Sequence, residues 1–169
     1  SKPIVRSMGR NFSLADIAEA GRNSPADSVP SGSVVALVGD FTPLDIVILL
    51  QLIDAGCVIV PLTDTTANQH RMFFDIAGVE WVIRRGAVER LQVNQPRHAL
   101  ISQILSTGSS GLILFSSGTT GTPKAAVHNF SNLLEKFRSY RRPALRTLAF
   151  LLFDHWGGLN TLFHTLFNA

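Results

Sequence analysis

The sequence predicts an α/β fold with a mainly parallel sheet and helices on both faces. The first observation is a set of short apolar strand patterns from residue 33 onward, which read "SVVALVGD", "CVIVPL", "EWVIRR" and "GLILFSS". The second observation is that segments with helical patterns lie between these runs. Strands separated by helices at this spacing favour parallel pairing within one α/β layer.

Composition supports one folded domain with a substantial core. The chain has 169 residues, of which 46% are hydrophobic, and this is far from the composition of disordered chains. The formal net charge is +3, and twelve of the fifteen basic residues are arginine. Nucleic-acid binding usually requires a denser basic face than this charge provides. We therefore expect no nucleic-acid partner.

One basic cluster has two interpretations. It lies in the segment "KFRSYRRPALR" and contains Lys136, Arg138, Arg141, Arg142 and Arg146. Charge runs of this kind usually form the solvated outer face and the end of a helix. The alternative is a surface that faces an anion or a partner.

Cysteine content and hydropathy bear on the cellular location. Cys57 is the only cysteine, so no disulfide forms within the chain. This predicts a reducing compartment and a cytoplasmic location. The N-terminal segment contains no uninterrupted apolar stretch, and the most apolar segment is broken by Asp45, Gln51 and Asp54. We therefore expect neither a signal peptide nor a membrane span.

The first strand, helix and strand unit has clear helix boundaries. Thr42 is a suitable N-cap, and Pro43 is a suitable first helical residue. Together they predict a helix of about thirteen residues that ends at Gly56. This helix is apolar on nearly every side, which indicates that it is buried. Residues 1–32 before this unit are expected to form a lead-in that contains a helix and a connection rich in proline and serine.

A second unit repeats this plan. Thr66 is the predicted cap of a helix through Ala77, and Gly78 is expected to end that helix. The segment "EWVIRR" then supplies a strand. Residues 86–111 carry a weaker pattern, in which "VNQPRHA" is expected to be a surface connection.

The last third of the chain predicts two more helices and one more strand. A helix from about Asn129 has one apolar face with the i, i+3, i+4 and i+7 spacing. That face consists of Phe130, Leu133, Leu134 and Phe137. The run "TLAFLLF" at residues 147–153 is a strand candidate, and "GGLNTLFHTLF" is an apolar helix.

A segment rich in glycine and hydroxyl groups, "LFSSGTTGTPKAAVHNF" at residues 114–130, is the strongest candidate for a binding site. Gly118 and Gly121 allow the backbone to approach a ligand closely. Successive backbone N–H groups and hydroxyls can all donate to one anion, and Lys124 adds a positive charge. A triphosphate suits this set of donors. The alternative is an ordinary turn, since turns often contain these residue types.

The order "GTTGTPK" differs from a Walker A loop, which has four residues between its first glycine and its Gly-Lys pair. The segment instead resembles the phosphate loop of the adenylate-forming superfamily, which includes acyl-CoA synthetases, acyl-AMP ligases and peptide synthetase adenylation domains. The pattern of that family is [Ser/Thr]-Ser-Gly-[Ser/Thr]-Thr-Gly-x-Pro-Lys-Gly. Residues 116–124 match it at every fixed position, and Ala125 replaces the usual final glycine.

Two further segments resemble the same family. Residues 34–62 are similar to its early strand, helix and strand, and they end in a Gly-x-x-x-x-Pro-Leu pattern from Gly56 to Leu62. The segment "FDHWGGLNTLFHTL" resembles its next motif, an aromatic-His-x-Gly-Gly pattern that lines the acyl pocket. The three segments occur in the order and spacing of the family.

The resemblance implies roles for two sets of residues. The loop would bind the phosphates of ATP, with Lys124 and Thr120 contributing to catalysis. The full loop set is Ser116, Ser117, Gly118, Thr119, Thr120, Gly121, Thr122, Pro123 and Lys124. The second set, His155, Trp156, Gly157 and Gly158, would contact the substrate acid, with the two glycines allowing an apolar or aromatic acyl group to approach.

A second alignment of the last motif remains open. Matching Phe153 and Asp154 to the Phe-Asp pair of domains that activate amino acids would place Asp154 against the ammonium of the substrate. The alignment through Gly157 and Gly158 keeps both glycines and is preferred. His155 and His164 are nine residues apart, without a cysteine or paired carboxylates, so no metal-binding residues are predicted.

The resemblance also implies a larger enzyme. Residues 33–169 would be the N-terminal part of an adenylation domain, and later motifs would supply the ligand for Mg²⁺ and a mobile C-terminal domain. The complete enzyme would use ATP and Mg²⁺ to activate a carboxylic acid, then transfer it to CoA or to a phosphopantetheine carrier. The portion alone is expected to be inactive and to associate into homo-oligomers through exposed apolar surface. The alternative is a non-catalytic module of the same fold that binds nucleotide or serves only in association.

Overall fold

A six-stranded mixed sheet forms the centre of the fold in the computed structural model, which describes residues 3–7, 9–116, 123–139, 147 and 150–168. The helices and strands, in chain order, are β1 (Pro3–Ser7), β2 (Arg10–Ser13), α1 (Leu14–Ala20), β3 (Val34–Val38), α2 (Pro43–Asp54), β4 (Val58–Leu62), α3 (His70–Ala77), β5 (Trp81–Arg84), β6 (Ala87–Arg90), α4 (Ala99–Ser106), β7 (Gly111–Ser116), β8 (Lys124–Asn129), α5 (Phe130–Ser139) and α6 (Trp156–Phe167). Two short 3-10 helices, Pro25–Ser28 and Asp64–Gln69, precede β3 and α3.

The strand order of the large sheet is β6-β5-β3-β4-β7-β8. The four inner strands are parallel, and an antiparallel strand is added at each side through the β5–β6 and β7–β8 pairs. The prediction of a mainly parallel sheet is therefore confirmed.

Helices cover both faces of the sheet, as predicted. On one face, alternate strand residues such as Val35, Leu37 and Ile59 pack into a core with α2, α5 and α6. On the other face, the intervening residues, such as Val34 and Val60, pack with α3 and α4. Successive side chains of a strand point to opposite faces, and in β3 and β4 both sets are buried. This explains why the two strands are apolar at every position.

The boundaries of α2 agree with the sequence prediction. The Oγ1 atom of Thr42 accepts a hydrogen bond from the backbone N–H of Asp45 at 3.1 Å, and Pro43 occupies the first turn. The helix ends at Asp54, and Gly56 has a φ of +67°, in the left-handed region that glycine adopts without strain. The predicted amphipathic helix and the apolar C-terminal helix are present as α5 and α6.

The predicted start of the second helix is wrong. α3 begins at His70, and Thr66 lies within the preceding 3-10 helix with a non-helical φ of −106°. The hydroxyl of Thr66 donates to the carbonyl oxygen of Thr63 at 3.2 Å, so it is used in the turn that leaves β4. The predicted end is confirmed, because Gly78 is the C-cap with a φ of +64°.

Two other segments differ from the prediction. Residues 150–153 are not a strand, because the backbone N–H of His155 donates to the carbonyl of Leu152 at 3.2 Å and closes a turn. Leu148 and Ala149, in the same predicted strand, lie outside the described residues. The weakly patterned region after Gly86 contains β6 and α4, whereas residues 93–98 form an exposed connection as expected.

The N-terminal region contains the expected helix, α1, and also a two-stranded hairpin that the sequence pattern did not indicate. α1 packs against α2, where the side-chain amide of Gln51 donates to the carbonyl of Gly21 at 3.1 Å. Among the described residues, no helix has both the length and the apolar character that a membrane span requires.

The cap of α2 gives a test of the fold. Thr42 accepts from the Asp45 N–H and donates to the buried Asp45 carboxylate at 2.7 Å. Burial raises the pKa of that carboxyl, and the hydrogen bonds oppose the rise. Thr42→Ala should lower the free energy of unfolding by about 1–2 kcal/mol in urea titrations. Thr42→Ser is the matched control and should retain most of the stability, and equal losses in both variants would contradict this role.

Candidate functional site

The carboxyl ends of the parallel strands provide the position for a site. The chain leaves β4 toward β5 on one side and leaves β7 toward β8 on the other, so the connections diverge between the adjacent strands β4 and β7. In open α/β sheets, ligands bind in the crevice at such a switch point. The segments that follow β4 and β7 are therefore candidates for a binding site.

The donor-rich segment follows β7 at this point. Ser116 ends β7, Lys124 begins β8, and these two residues face each other in the antiparallel ladder. β7 therefore precedes the loop, and β8 and α5 follow it, as the sequence predicts. The side chain of Lys124 is exposed, and Pro123 before it is partly buried.

Six of the predicted phosphate-binding residues lie outside the described residues. They are Ser117, Gly118, Thr119, Thr120, Gly121 and Thr122. Their roles remain predictions, as does the catalytic role of Lys124. Ala125, which replaces the final glycine of the loop pattern, lies opposite Phe115 in the β7–β8 ladder, in extended backbone that alanine adopts readily.

The predicted acyl-pocket motif lies at the same edge of the sheet. His155 is the N-cap residue of α6, and Trp156 is its first helical residue. Two contacts place this helix start beside the strand ends. The ring of Phe41, just after β3, meets the ring of Phe153 edge to face at 5.4 Å. The hydroxyl of Thr63, just after β4, donates to Asp154 at 3.1 Å.

Asp154 is a buried carboxylate whose two oxygens both have partners. Its side chain is only 8% exposed. One oxygen accepts from the Thr63 hydroxyl, and the other lies 2.7 Å from Nδ1 of His155. The side chain of His155 itself is 61% exposed. The pair thus joins a buried acid to an accessible imidazole at the start of α6.

Thr63 is held in turn by a second histidine. Nε2 of the buried His70 lies 3.0 Å from the carbonyl oxygen of Thr63, and Nδ1 lies 2.7 Å from a guanidinium nitrogen of Arg84. A guanidinium can only donate, so Nδ1 accepts and Nε2 carries the proton. Burial lowers the pKa of His70, and the neighbouring Arg84 lowers it further. A neutral imidazole therefore joins the ends of β4 and β5 to the start of α3.

Trp156 contacts a cation from the neighbouring helix. Nζ of Lys136 on α5 lies 4.9 Å from the centre of the indole ring and 2.5 Å from Oδ1 of Asn160 on α6. A cation at this distance over an aromatic face is attracted to it. Lys136 therefore contacts α6 from α5. This favours the interpretation of its basic cluster as a helix surface. Arg141, Arg142 and Arg146 of that cluster lie outside the described residues.

The two glycines of the motif contact the segment that precedes them. A Cβ atom on Gly158 would lie 2.2 Å from the carbonyl oxygen of Leu152, and one on Gly157 would lie 2.3 Å from the end of the Leu151 side chain. These glycines allow residues 151–152 to pack against the first turn of α6. Their predicted contact with an acyl group is a separate matter and stays a prediction.

In the parts of the chain that the structure describes, no group of three or more His, Cys, Asp or Glu side chains is placed to hold a metal ion.

The sequence matches no protein-family model and, at a significant level, no curated protein. Its fold is similar to that of several solved structures. The N-terminal domain of FACL13 from Mycobacterium tuberculosis, in an inhibitor-bound crystal structure, has a TM-score of 0.68 and 21% identity, with 95% of this chain and 49% of that chain covered. The fold is that of the N-terminal part of adenylate-forming enzymes.

Two more adenylate-forming structures show the same similarity. The N-terminal subdomain of NpsA from Klebsiella oxytoca, in complex with 3-hydroxybenzoyl-AMSN, has a TM-score of 0.67 and 18% identity, with coverage of 95% and 46%. O-succinylbenzoate coenzyme A synthetase (MenE) from Bacillus subtilis, in complex with AMP, has a TM-score of 0.63 and 17% identity, with coverage of 95% and 49%. The present chain thus spans about half the length of each of these adenylate-forming chains.

Sequence patterns indicated the loop and the start of α6 but not the contacts made by Thr63, His70 and Arg84. Thr63, His70 and Arg84 come together because β4 and β5 both pair in parallel with β3, which aligns their carboxyl ends. The available signal was the polar run "TDTT" at residues 63–66, directly after a buried strand. Polar residues at the carboxyl end of a parallel strand are candidates for a site in the adenylate-forming fold, as in other α/β folds.

The two glycines of the motif should differ in their tolerance of alanine. Gly158→Ala places a methyl group against a backbone carbonyl, so we expect a loss of about 2–3 kcal/mol in the free energy of unfolding. Gly157→Ala meets only the flexible end of Leu151, and alanine favours the helix, so its loss should stay below about 1 kcal/mol. Urea denaturation measures both variants. A larger loss in Gly157→Ala than in Gly158→Ala would contradict this packing.

His70 should make stability depend on pH. Its pKa in the unfolded chain is near 6.5, and its pKa in the folded chain is lower. Below pH 6.5, His70 therefore binds a proton in the unfolded chain, whereas in the folded chain it binds one only at a lower pH. The free energy of unfolding should fall as the pH decreases from 7.5 through this window.

Urea titrations at several pH values measure the contribution of His70. His70→Gln should flatten the pH dependence, whereas His128→Gln, on the partly exposed part of β8, should keep it. An unchanged slope in His70→Gln would show that other groups cause the dependence.

Proposed function

We propose that the chain is the N-terminal portion of an ATP-dependent ligase that activates a carboxylic acid as its acyl-adenylate. The observation that carries the proposal is the position of the "SSGTTGTPK" segment. Its two ends, Ser116 and Lys124, are paired at the switch point of a sheet with the fold of adenylate-forming enzymes. Solved structures of that fold contain AMP or adenylate analogues.

In the proposed reaction, a carboxylate oxygen of the acid attacks the α-phosphorus of ATP. A bond from that oxygen to phosphorus forms, and pyrophosphate leaves with the electrons of the broken bond. Backbone N–H groups and hydroxyls of residues 116–122 donate to the β- and γ-phosphates, and Lys124 adds positive charge. This preorganised set of donors stabilises the charge that develops on the leaving group.

His155, Trp156, Gly157 and Gly158 form the wall that contacts the acid. His155 is the accessible member of this wall. Mg²⁺ neutralises phosphate charge in reactions of this type, and its ligand is assigned to a later part of the complete enzyme. The acyl group then passes to CoA or to a carrier thiol, with AMP as the leaving group. The single buried Cys57 is the basis for proposing a cytoplasmic enzyme.

Isotope exchange between pyrophosphate and ATP tests the proposal directly. The full-length product of the gene is incubated with fatty, aromatic and amino acids, and the incorporation of labelled pyrophosphate into ATP is measured. Exchange that depends on an added acid supports the ligase. Absence of exchange with every acid, together with measurable nucleotide binding or self-association, would support the non-catalytic module.

One observation favours association as the alternative role. Phe150, Leu151 and Leu152 are 79%, 41% and 43% exposed, and contiguous exposed apolar residues are typical of interaction surfaces. Sedimentation over a range of concentrations measures this property independently of exchange.

Lys124 and Thr120 should contribute to the adenylation rate. Loss of a hydrogen bond to a charged group is worth about 1.5–3 kcal/mol, which corresponds to a tenfold to hundredfold lower rate. We expect Lys124→Ala and Thr120→Ala to reduce the exchange rate by this factor, with a smaller effect on acid binding because their contacts are with the phosphates.

Arg71→Ala is the matched charge control for Lys124→Ala, since Arg71 lies on α3 with 91% of its side chain exposed. Its exchange rate should equal that of the wild type. Unchanged kinetics in Lys124→Ala would remove the proposed role of the lysine.

A further inference from the structure

Asp154 is a buried acid directly before the start of α6. With 8% of its side chain exposed, Asp154 has little surface for a ligand. A buried carboxylate must receive hydrogen bonds to offset the loss of its hydration. Asp154 receives them from within the chain, because Thr63 binds one oxygen and His155 the other.

The direction of these hydrogen bonds follows from the number of protons available. The Thr63 hydroxyl has one proton and lies 3.1 Å from Asp154 and 2.6 Å from the hydroxyl of Thr65. A carboxylate only accepts, so Thr63 donates to Asp154 and Thr65 donates to Thr63. At its other oxygen, Asp154 accepts from Nδ1 of His155, which must therefore carry a proton.

We propose that Asp154 is a positioning residue that fixes His155 in the Nδ1–H tautomer, with Nε2 presented as a hydrogen-bond acceptor. A carboxylate bonded to one ring nitrogen sets the tautomer and orientation of an imidazole. The Thr63 bond anchors this carboxylate to the end of β4, across 91 residues of sequence. Within the described residues, Nε2 of His155 has no hydrogen-bond partner, and 61% of the side chain is exposed.

This arrangement has a consequence for the substrate class, which rests on the proposed function. An ammonium group of an amino acid would have to displace Thr63 or His155 in order to reach Asp154. An acid without an ammonium group needs no such displacement. A hydroxyl group on the acid can donate to Nε2 of His155. An ammonium group can donate there too, but it finds no free carboxylate to offset the loss of its hydration, so hydroxy acids suit the site better than the corresponding amino acids.

Nuclear magnetic resonance of the ¹⁵N-labelled imidazoles tests the tautomer without any need for activity. The chain has five histidines, and the His155→Gln variant identifies the resonances of His155. In the wild type, with the imidazole ring of His155 uncharged, Nδ1 should have the shift of a protonated ring nitrogen and Nε2 that of an unprotonated one. In Asp154→Ala, which offers no acceptor to the Nδ1 proton, this preference should be lost, with the proton moving to Nε2.

Two further variants separate positioning from a general effect on the fold. Asp54→Asn, at the exposed end of α2, removes an acid elsewhere and should leave the resonances of His155 unchanged. Thr63→Val keeps the side-chain shape but removes the donor, and it should broaden or shift those resonances. A wild-type His155 protonated only at Nε2, or an unchanged tautomer in Asp154→Ala, would overturn the proposal.

Exchange assays with matched acids test the consequence for substrates. Phenylalanine and 3-phenyllactate differ in an ammonium and a hydroxyl, and we expect 3-phenyllactate to support the faster exchange, on the order of tenfold. Faster exchange with phenylalanine, abolished in Asp154→Asn, would overturn the substrate assignment. Absence of exchange with every acid would count against the proposed function, whereas the resonance measurements would still decide the role of Asp154.

Discussion

The parallel pairing of β3 with β4 is the constraint on which the rest of the structure depends. Every residue of both strands is buried, so each face of the sheet must be covered by helices. Parallel pairing also requires each connection to cross from one end of the sheet to the other. All the connections that follow inner strands therefore start at one edge, where the neighbouring strands β4 and β7 both end. The candidate site is a consequence of this geometry.

Local chemistry explains how much of the fold was visible in the sequence. The cap at Thr42, the proline beside it and the turn at Gly56 act within a few residues, and α2 has the predicted bounds. Thr66 also has a hydroxyl that is suitable for a helix cap, but this hydroxyl donates to the carbonyl oxygen of Thr63 in the turn after β4. An apolar run indicates that its side chains are buried. It does not show whether a neighbouring strand is available to form hydrogen bonds with its backbone. This is why residues 150–153 lead into a turn closed between Leu152 and His155, although their composition resembles that of a strand.

The site was predictable to a different extent on its two sides. The loop between β7 and β8 is contiguous in sequence, so its donors and lysine appear together as one pattern. The network around Asp154 combines Thr63, His70 and Arg84, which are separated by a strand and a helix, and its longest contact spans 91 residues. Periodicity carries no information about such contacts, because they depend on the register of the sheet.

The burial of Asp154 also suits the charge of the proposed ligands. ATP and a carboxylic acid are both anions, and an exposed carboxylate beside them would repel them. Donors from Thr63 and His155 compensate the Asp154 charge inside the protein, and the accessible group at this position is the imidazole. Lys124 places an exposed positive charge at the start of β8. An acidic residue can therefore shape a site for anions when the fold keeps its carboxylate out of their reach.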